Sequence, residues 1–145
     1  MRKQDLFFIK NFRPQQGCDS QEICDLKKDD LSNIPDCAGV YIITSFKTRF
    51  IYPEGTSRII YIGKSDNLKR RLKEHQRHLK SLKRDCQEYW CCERYHYMDK
   101  HGAHTFFYKC RGVQDAKDLE CRVMFAFYKR YSATPVGNSA RSLGK

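Results

Sequence analysis

The sequence predicts a small α+β domain, a three-stranded antiparallel sheet flanked by helices, and three observations carry that expectation. Two short runs, residues 38–44 (AGVYIIT) and 58–62 (RIIYI), are β-branched and aromatic and are bounded by turn residues. Leu68, Leu72, His75, Leu79 and Leu82 recur at alternating spacings of four and three, the period of a helix with one apolar stripe. A third β-like run, residues 104–110 (HTFFYKC), follows a glycine stop and precedes a further helical pattern.

Taken in order, residues 1–33 read as an N-terminal arm, with an apolar stretch from Leu6 to Ile9 and then a polar, acidic segment. Asn33-Ile34-Pro35-Asp36 reads as a turn. The first two strands follow, joined by an extended loop containing Pro53-Glu54-Gly55. Gly63 ends the second strand, and Ser65 or Asp66 can cap the helix that carries the leucine stripe. Residues 86–100 (CQEYWCCERYHYMDK) read as a second helix stopped by Gly102. After the third strand, Asp115 and Asp118 open a last helix that runs to about Tyr131, before Pro135. The order is β-β-α-α-β-α in a single domain, with its core over 34–138 and a basic tail over 139–145.

The 145-residue chain has 28 Lys+Arg against 17 Asp+Glu, a net charge of +11, which calls for a polyanionic partner. At 40% hydrophobic and 13% aromatic residues, global disorder is excluded. No apolar run approaches the roughly 20 residues of a membrane span, so no membrane partner is expected. The N-terminal apolar patch is too short for a signal peptide, so the expected location is the cytoplasm, where thiols stay reduced. The charge is local: residues 64–84 carry a net +7, whereas residues 15–36 carry a net −4 and are expected to lie away from a bound polyanion. The eight cysteines contain no CxxC pair. Cys86, Cys91, Cys92, His96 and His101 form a loose cluster, but their spacing matches no standard zinc module. Most of these cysteines are therefore read as small buried hydrophobes, and structural zinc is not expected.

Strand alternation separates Tyr41 from Val40 and Ile42, and Tyr61 from Ile60 and Ile62. Pairing around 41/61 would project both phenols from one face. Arg71 and His75, at i and i+4, share a helix face. Glu120 shares a face with Val123, Met124, Phe127 and Tyr131, so its carboxylate is partly buried and needs a cation, a hydrogen-bond network or a metal. Two phenols, a guanidinium, an imidazole and a carboxylate suit phosphodiester hydrolysis. Each has a blander reading alone: tyrosines as core, Arg71 as solvated charge, His75 as a satisfied core histidine, Glu120 as a helix-dipole partner, Asn138 as a turn residue. Lys64, Lys69, Arg70 and Lys73 are assigned to phosphate contact, and Tyr89, Trp90 and Tyr95 to the core.

Gly39-Val40-Tyr41 and Tyr61-Ile62-Gly63 resemble the two halves of the GIY-YIG nuclease motif. The stretch from Tyr61 through Arg71 to His75 is similar to the family's following helix. Tyr97-Met98-Asp99-Lys100-His101-Gly102 before His104-Thr105-Phe106-Phe107 resembles a junction of the phage and homing-endonuclease branch. Asp118-Leu119-Glu120 resembles the family's catalytic glutamate, and Pro135-Val136-Gly137-Asn138 its ending. The resemblance implies the GIY-YIG endonuclease fold and a DNA endonuclease using one divalent cation, Mg²⁺ or Mn²⁺. Glu120 would hold the metal, Arg71 would stabilise the phosphate, and Tyr41 with His75 would activate water. Tyr61 would position water or phosphate, Asn138 would hydrogen-bond the site, and Gly39 and Gly63 would allow close backbone approach. Two departures stand out: valine replaces isoleucine at position 40, and nineteen residues separate Tyr41 from Tyr61, more than the family's usual. A single active site makes a dimer on DNA an expectation for double-strand cutting. From a different class, the alternative is a DNA-binding or regulatory module that keeps the fold without turnover.

Overall fold

The computed structural model describes residues 20–82 and 92–138, which fold as nine elements. These are β1 (Gln21–Ile23), β2 (Gly39–Thr44), β3 (Phe50–Tyr52), β4 (Gly55–Ser57), β5 (Ile59–Ser65), α1 (Leu68–Lys80), α2 (Cys92–His101), β6 (His104–Lys109) and α3 (Val113–Tyr131). The α+β class and the sheet between helices are as the sequence predicts. The strand count is not. Among the described residues the main sheet has four strands, in the order β1-β6-β2-β5, and β3 and β4 form a separate two-stranded ribbon.

The extra strand, β1, lies within the segment read as an arm and adds antiparallel to β6. Behind it Leu26, Leu31 and Ile34 are buried in the core, so this acidic stretch is anchored by its apolar residues. The ribbon occupies the long loop between the two motif strands. Tyr52 pairs with Gly55 around Pro53-Glu54 and points inward, where its phenol donates to the Ile59 carbonyl (3.2 Å) and accepts from the Val136 amide (3.1 Å). Burial pushes that phenol up to about 12.

Every residue of β2 is buried, as a strand covered on both faces requires. One face of the sheet carries Val40, Ile42, Ile62 and Tyr108 and packs on Leu119, Val123, Met124 and Phe127 of α3. The other carries Tyr41, Ile43 and Phe107 and packs on Leu68, Leu72 and Leu79 of α1 and on Tyr95 and Met98 of α2. Helix α1 is capped by Asn67, whose side chain accepts from the Arg70 amide at 3.0 Å; Ser65 instead accepts from the Asn67 amide. Helix α2 stops at Gly102, whose φ of +93° is costly for a residue with a Cβ. Helix α3 begins two residues before Asp115 and ends on Ser132 in the left-handed region. Of the second predicted helix, residues 86–91 lie outside the described residues, as do the Leu6–Ile9 stretch and the 139–145 tail.

Candidate active site

The hairpin register differs from the expected 41/61 pairing. Tyr41 lies opposite Gly63, and Tyr61 lies opposite Ile43. A shift of two residues preserves side-chain parity, so both phenols still leave one face of the sheet. The register also explains the glycine. A Cβ on Gly63 would sit 2.5 Å from the Tyr41 hydroxyl and 2.7 Å from the Tyr61 ring, so the two rings cross over bare backbone there. At Gly39, a Cβ would strike Leu68 and the Tyr108 carbonyl.

Tyr41 is fully buried, and its hydroxyl lies 2.7 Å from His75 Nε2. The other ring nitrogen, Nδ1, lies 2.8 Å from the Tyr95 hydroxyl. A buried hydrogen-bonded chain thus runs Tyr41–His75–Tyr95 from β2 through α1 to α2. Burial raises the Tyr41 phenol well above its ordinary value, with Tyr61 adding to the shift and Arg71 opposing it. Burial, reinforced by Arg71 and Arg94, holds His75 well below its ordinary value, so its imidazole is neutral at neutral pH. Tyr61 is half-buried, its ring centroid 6.0 Å from that of Tyr41, and the Arg94 guanidinium lies 4.6 Å over it. Burial acts to lower Arg71, but the facing Tyr41 and a 2.9 Å ion pair with Glu74 outweigh it and hold the guanidinium above its usual value.

Glu120 comes from the other layer. Its side chain is 17% exposed, its carboxyl is raised by burial, and Lys64 Nζ, 3.6 Å away, opposes that rise. Lys64 belongs to β5, the sheet's edge strand, one residue beyond Gly63 but on the opposite face. The structure therefore groups Tyr41, Tyr61, Arg71 and His75 on one face of β5 and places Glu120 on the other. Asn138 lies along that same edge, bonded to the backbone of Ile62. Its Oδ1 accepts from the Ile62 amide and its Nδ2 donates to the Ile62 carbonyl, both at 2.9 Å, while the Gly137 amide donates to Ile60 at 2.7 Å. Asn138 thus closes the free edge of β5 as a neighbouring strand would. Asn138→Ala is expected to cost about 2 kcal/mol, from two lost bonds, and to lower Tm by several degrees in thermal denaturation.

The four residues assigned to phosphate contact already have acidic neighbours. Lys64 faces Glu120, Lys69 lies 3.5 Å from Asp36, and Arg70 pairs with Asp66. Lys73 is close enough to act on Asp30. The acidic segment packs on α1, where Gln76 also donates to the Leu26 and Asp29 carbonyls. Exposed pairs of this kind are worth roughly 0–1 kcal/mol, so a phosphate can displace them. In the histidine–cysteine cluster, His101 is engaged by Thr48 at 2.9 Å and by the Phe50 ring. Cys86 and Cys91 lie outside the described residues.

Sequence reasoning put Tyr95 in the core, where it lies, but missed its bond to His75, and it did not single out Arg94. Both sit on α2, in a sequence of mixed polarity with no spacing that links them to His75 or Tyr61. No described helix is long and apolar enough to cross a membrane. No curated protein and no solved structure matches the chain. A family model described as the GIY-YIG catalytic domain matches residues 37–129, from just before β2 into the last turn of α3. The matched stretch holds the tyrosine hairpin, the helix that closes over it and the helix bearing Glu120, and the chain belongs to the GIY-YIG nuclease family.

Proposed function

We propose that this protein is a divalent-metal-dependent DNA endonuclease that hydrolyses one phosphodiester bond per encounter at the outer edge of β5. The observation that carries the reading is the buried Tyr41–His75–Tyr95 chain with Arg71 beside its first phenol. A phenol held this far above its ordinary value is a poor base alone. It can take a proton from water if its own proton leaves for His75 Nε2 in the same step. His75 is available because burial keeps it neutral, and the tautomer with the proton on Nδ1 donates to the Tyr95 oxygen. Arg71 stays charged and exchanges Glu74 for the scissile phosphate, while Tyr61, braced by Arg94, positions water or phosphate. Asn138 holds β5, and so Gly63 and Lys64, in register.

Glu120 fits a hard cation, because its half-buried carboxylate has a lysine only at the long distance of 3.6 Å. Mg²⁺ or Mn²⁺ binds through one or two carboxylates plus water and substrate phosphate, which a single glutamate at an open edge allows. When bound, the ion supplies Lewis-acid stabilisation of phosphoryl charge. Lys64, Lys69, Arg70 and Lys73 would track the backbone with little sequence information.

Supercoiled plasmid incubated with purified protein and a metal series tests the reading. Nicked circles with Mg²⁺ or Mn²⁺, and none in excess EDTA, are expected, with coordinated double-strand breaks requiring a second protomer. Salt-dependent binding without cutting under any divalent ion would overturn it in favour of a non-catalytic module. Tyr95→Phe keeps the ring but removes the partner of Nδ1. It is expected to lower kcat roughly tenfold at unchanged KM, a small part of what proton transfer is worth. Single-turnover cleavage measures this.

A further inference from the structure

A second cluster of metal-ligating side chains lies at the opposite edge of the sheet. We propose that Glu22, Cys24 and His104 form a binding site for one zinc ion, separate from the Glu120 site. Glu22 is in β1, and continuing its register with β6 by one residue sets Cys24 across from His104. Glu22 and Cys24 are two residues apart, so they leave the same face, with His104 directly across from one and diagonal to the other. The carboxylate oxygen, thiol sulfur and ring nitrogen all lie within 4.8 Å of one another.

The spacing suits the ion. Glu22 Oε2 and His104 Nε2 are 2.9 Å apart. Two ligands at bond lengths of ~2.0–2.1 Å and a tetrahedral angle stand about 3.3 Å apart, so a small opening of that pair admits a metal. The thiol lies within 4.8 Å of both, and the zinc–sulfur bond, at ~2.3 Å, is the longer of the bonds it would have to span. Cys24 is a free thiol, and both it and Glu22 are exposed, so the ion and a completing water can enter. The His104 ring is fixed against Phe106, with centroids 4.6 Å apart, and its backbone carbonyl accepts from Thr44, so one of the three ligands is already held in place.

The donor set distinguishes the two sites chemically. One thiolate, one imidazole and one carboxylate select zinc over magnesium, whereas the lone carboxylate of Glu120 suits a hard cation. Three strand spacings of ~4.8 Å put the two sheet edges roughly 14 Å apart, so neither site can serve the other's ion. Binding uses Cys24 as the thiolate, and His104 ligates through an Nε2 that carries no proton. The structural effect is to tie β1, which among the described residues pairs only with β6, across to the first residue of that strand.

The test reads Cys24 by itself, because the chain has eight cysteines. Full-length protein is alkylated with iodoacetamide with and without zinc, and fragment mass spectrometry separates Cys24 from Cys18. With zinc at ten times its Kd, occupancy predicts roughly tenfold slower modification of Cys24. Magnesium at the same concentration is expected to give no protection. Glu22→Gln and His104→Gln should each restore most of the unprotected rate, and Glu22, being exposed, can be changed without threatening the fold. Equal Cys24 modification with and without zinc overturns the proposal, and so does protection undiminished in both variants.

Discussion

Glu120→Gln is expected to lower plasmid nicking on the order of 10³-fold while leaving the fold intact, because it removes the charge that would hold the cation and otherwise only the long ion pair to Lys64. The carboxamide keeps the shape of a side chain that is 17% exposed and packed beside Leu119 and Val123 on α3. Manganese titration should show the loss directly, and circular dichroism should be unchanged. The pH dependence has a definite sign. Burial raises the Glu120 carboxyl, so the ionised form that holds a cation is lost on acidification earlier than for an ordinary carboxylate. Cleavage and Mn²⁺ affinity should therefore fall together as pH drops through that raised value. Lys64 opposes the rise, so Lys64→Met should move the acid limb to higher pH. Above that limb it should tighten Mn²⁺ binding, since the competing ammonium is gone. Undiminished cleavage by Glu120→Gln would falsify its role as metal ligand.

Much of this site was legible because its signals are local. The alternation of β2 and β5 put Tyr41 and Tyr61 on one face by parity, which survives the two-residue error in register. The 3–4 stripe placed Arg71 and His75 on one helix in the same way. What the sequence hid depends on contacts between elements. β1 is three residues long with only Ile23 buried, too little alternation to distinguish from an acidic loop. The β3–β4 turn is Pro53-Glu54, with none of the Asn-Gly or Asp-Gly signal that marks a tight hairpin. Tyr95 meets His75 only because α2 packs on α1. The packing of the acidic segment on α1 was hidden as well, because net charge gives the sign of a surface and not its neighbours.

The structure also changes how the basic helix is understood. Composition makes residues 64–84 a free positive surface, yet Lys64, Lys69, Arg70, Arg71 and Lys73 meet carboxylates from three directions. Asp36 and Asp30 come from the N-terminal segment, Glu120 from α3, and Asp66 and Glu74 from the helix and its approach. A nucleic acid must exchange these partners for its own phosphates. Exposed pairs give way cheaply, but the half-buried one at Arg71 is the pair whose exchange would matter to catalysis.

That makes Arg71 the position where a single substitution tests both binding and chemistry. Arg71→Ala is expected to reduce kcat by about 10²–10³-fold, the usual cost of deleting one donor aimed at developing transition-state charge. Arg71→Lys should recover only part of this, because an ammonium lacks the planar fork that can span a phosphate and the Tyr41 side of the site. Glu74→Gln makes the opposite change. It removes the carboxylate that holds the guanidinium at 2.9 Å, so the substrate phosphate no longer competes with an internal anion. KM should fall a few-fold while kcat stays near wild type, the pattern of a ground-state competitor removed. If Arg71 served only the helix surface, Arg71→Ala and Glu74→Gln would behave alike, since either one breaks the same ion pair. Opposite effects of the two variants on cleavage, measured under single-turnover conditions with and without excess DNA, separate a phosphate-binding arginine from a structural one.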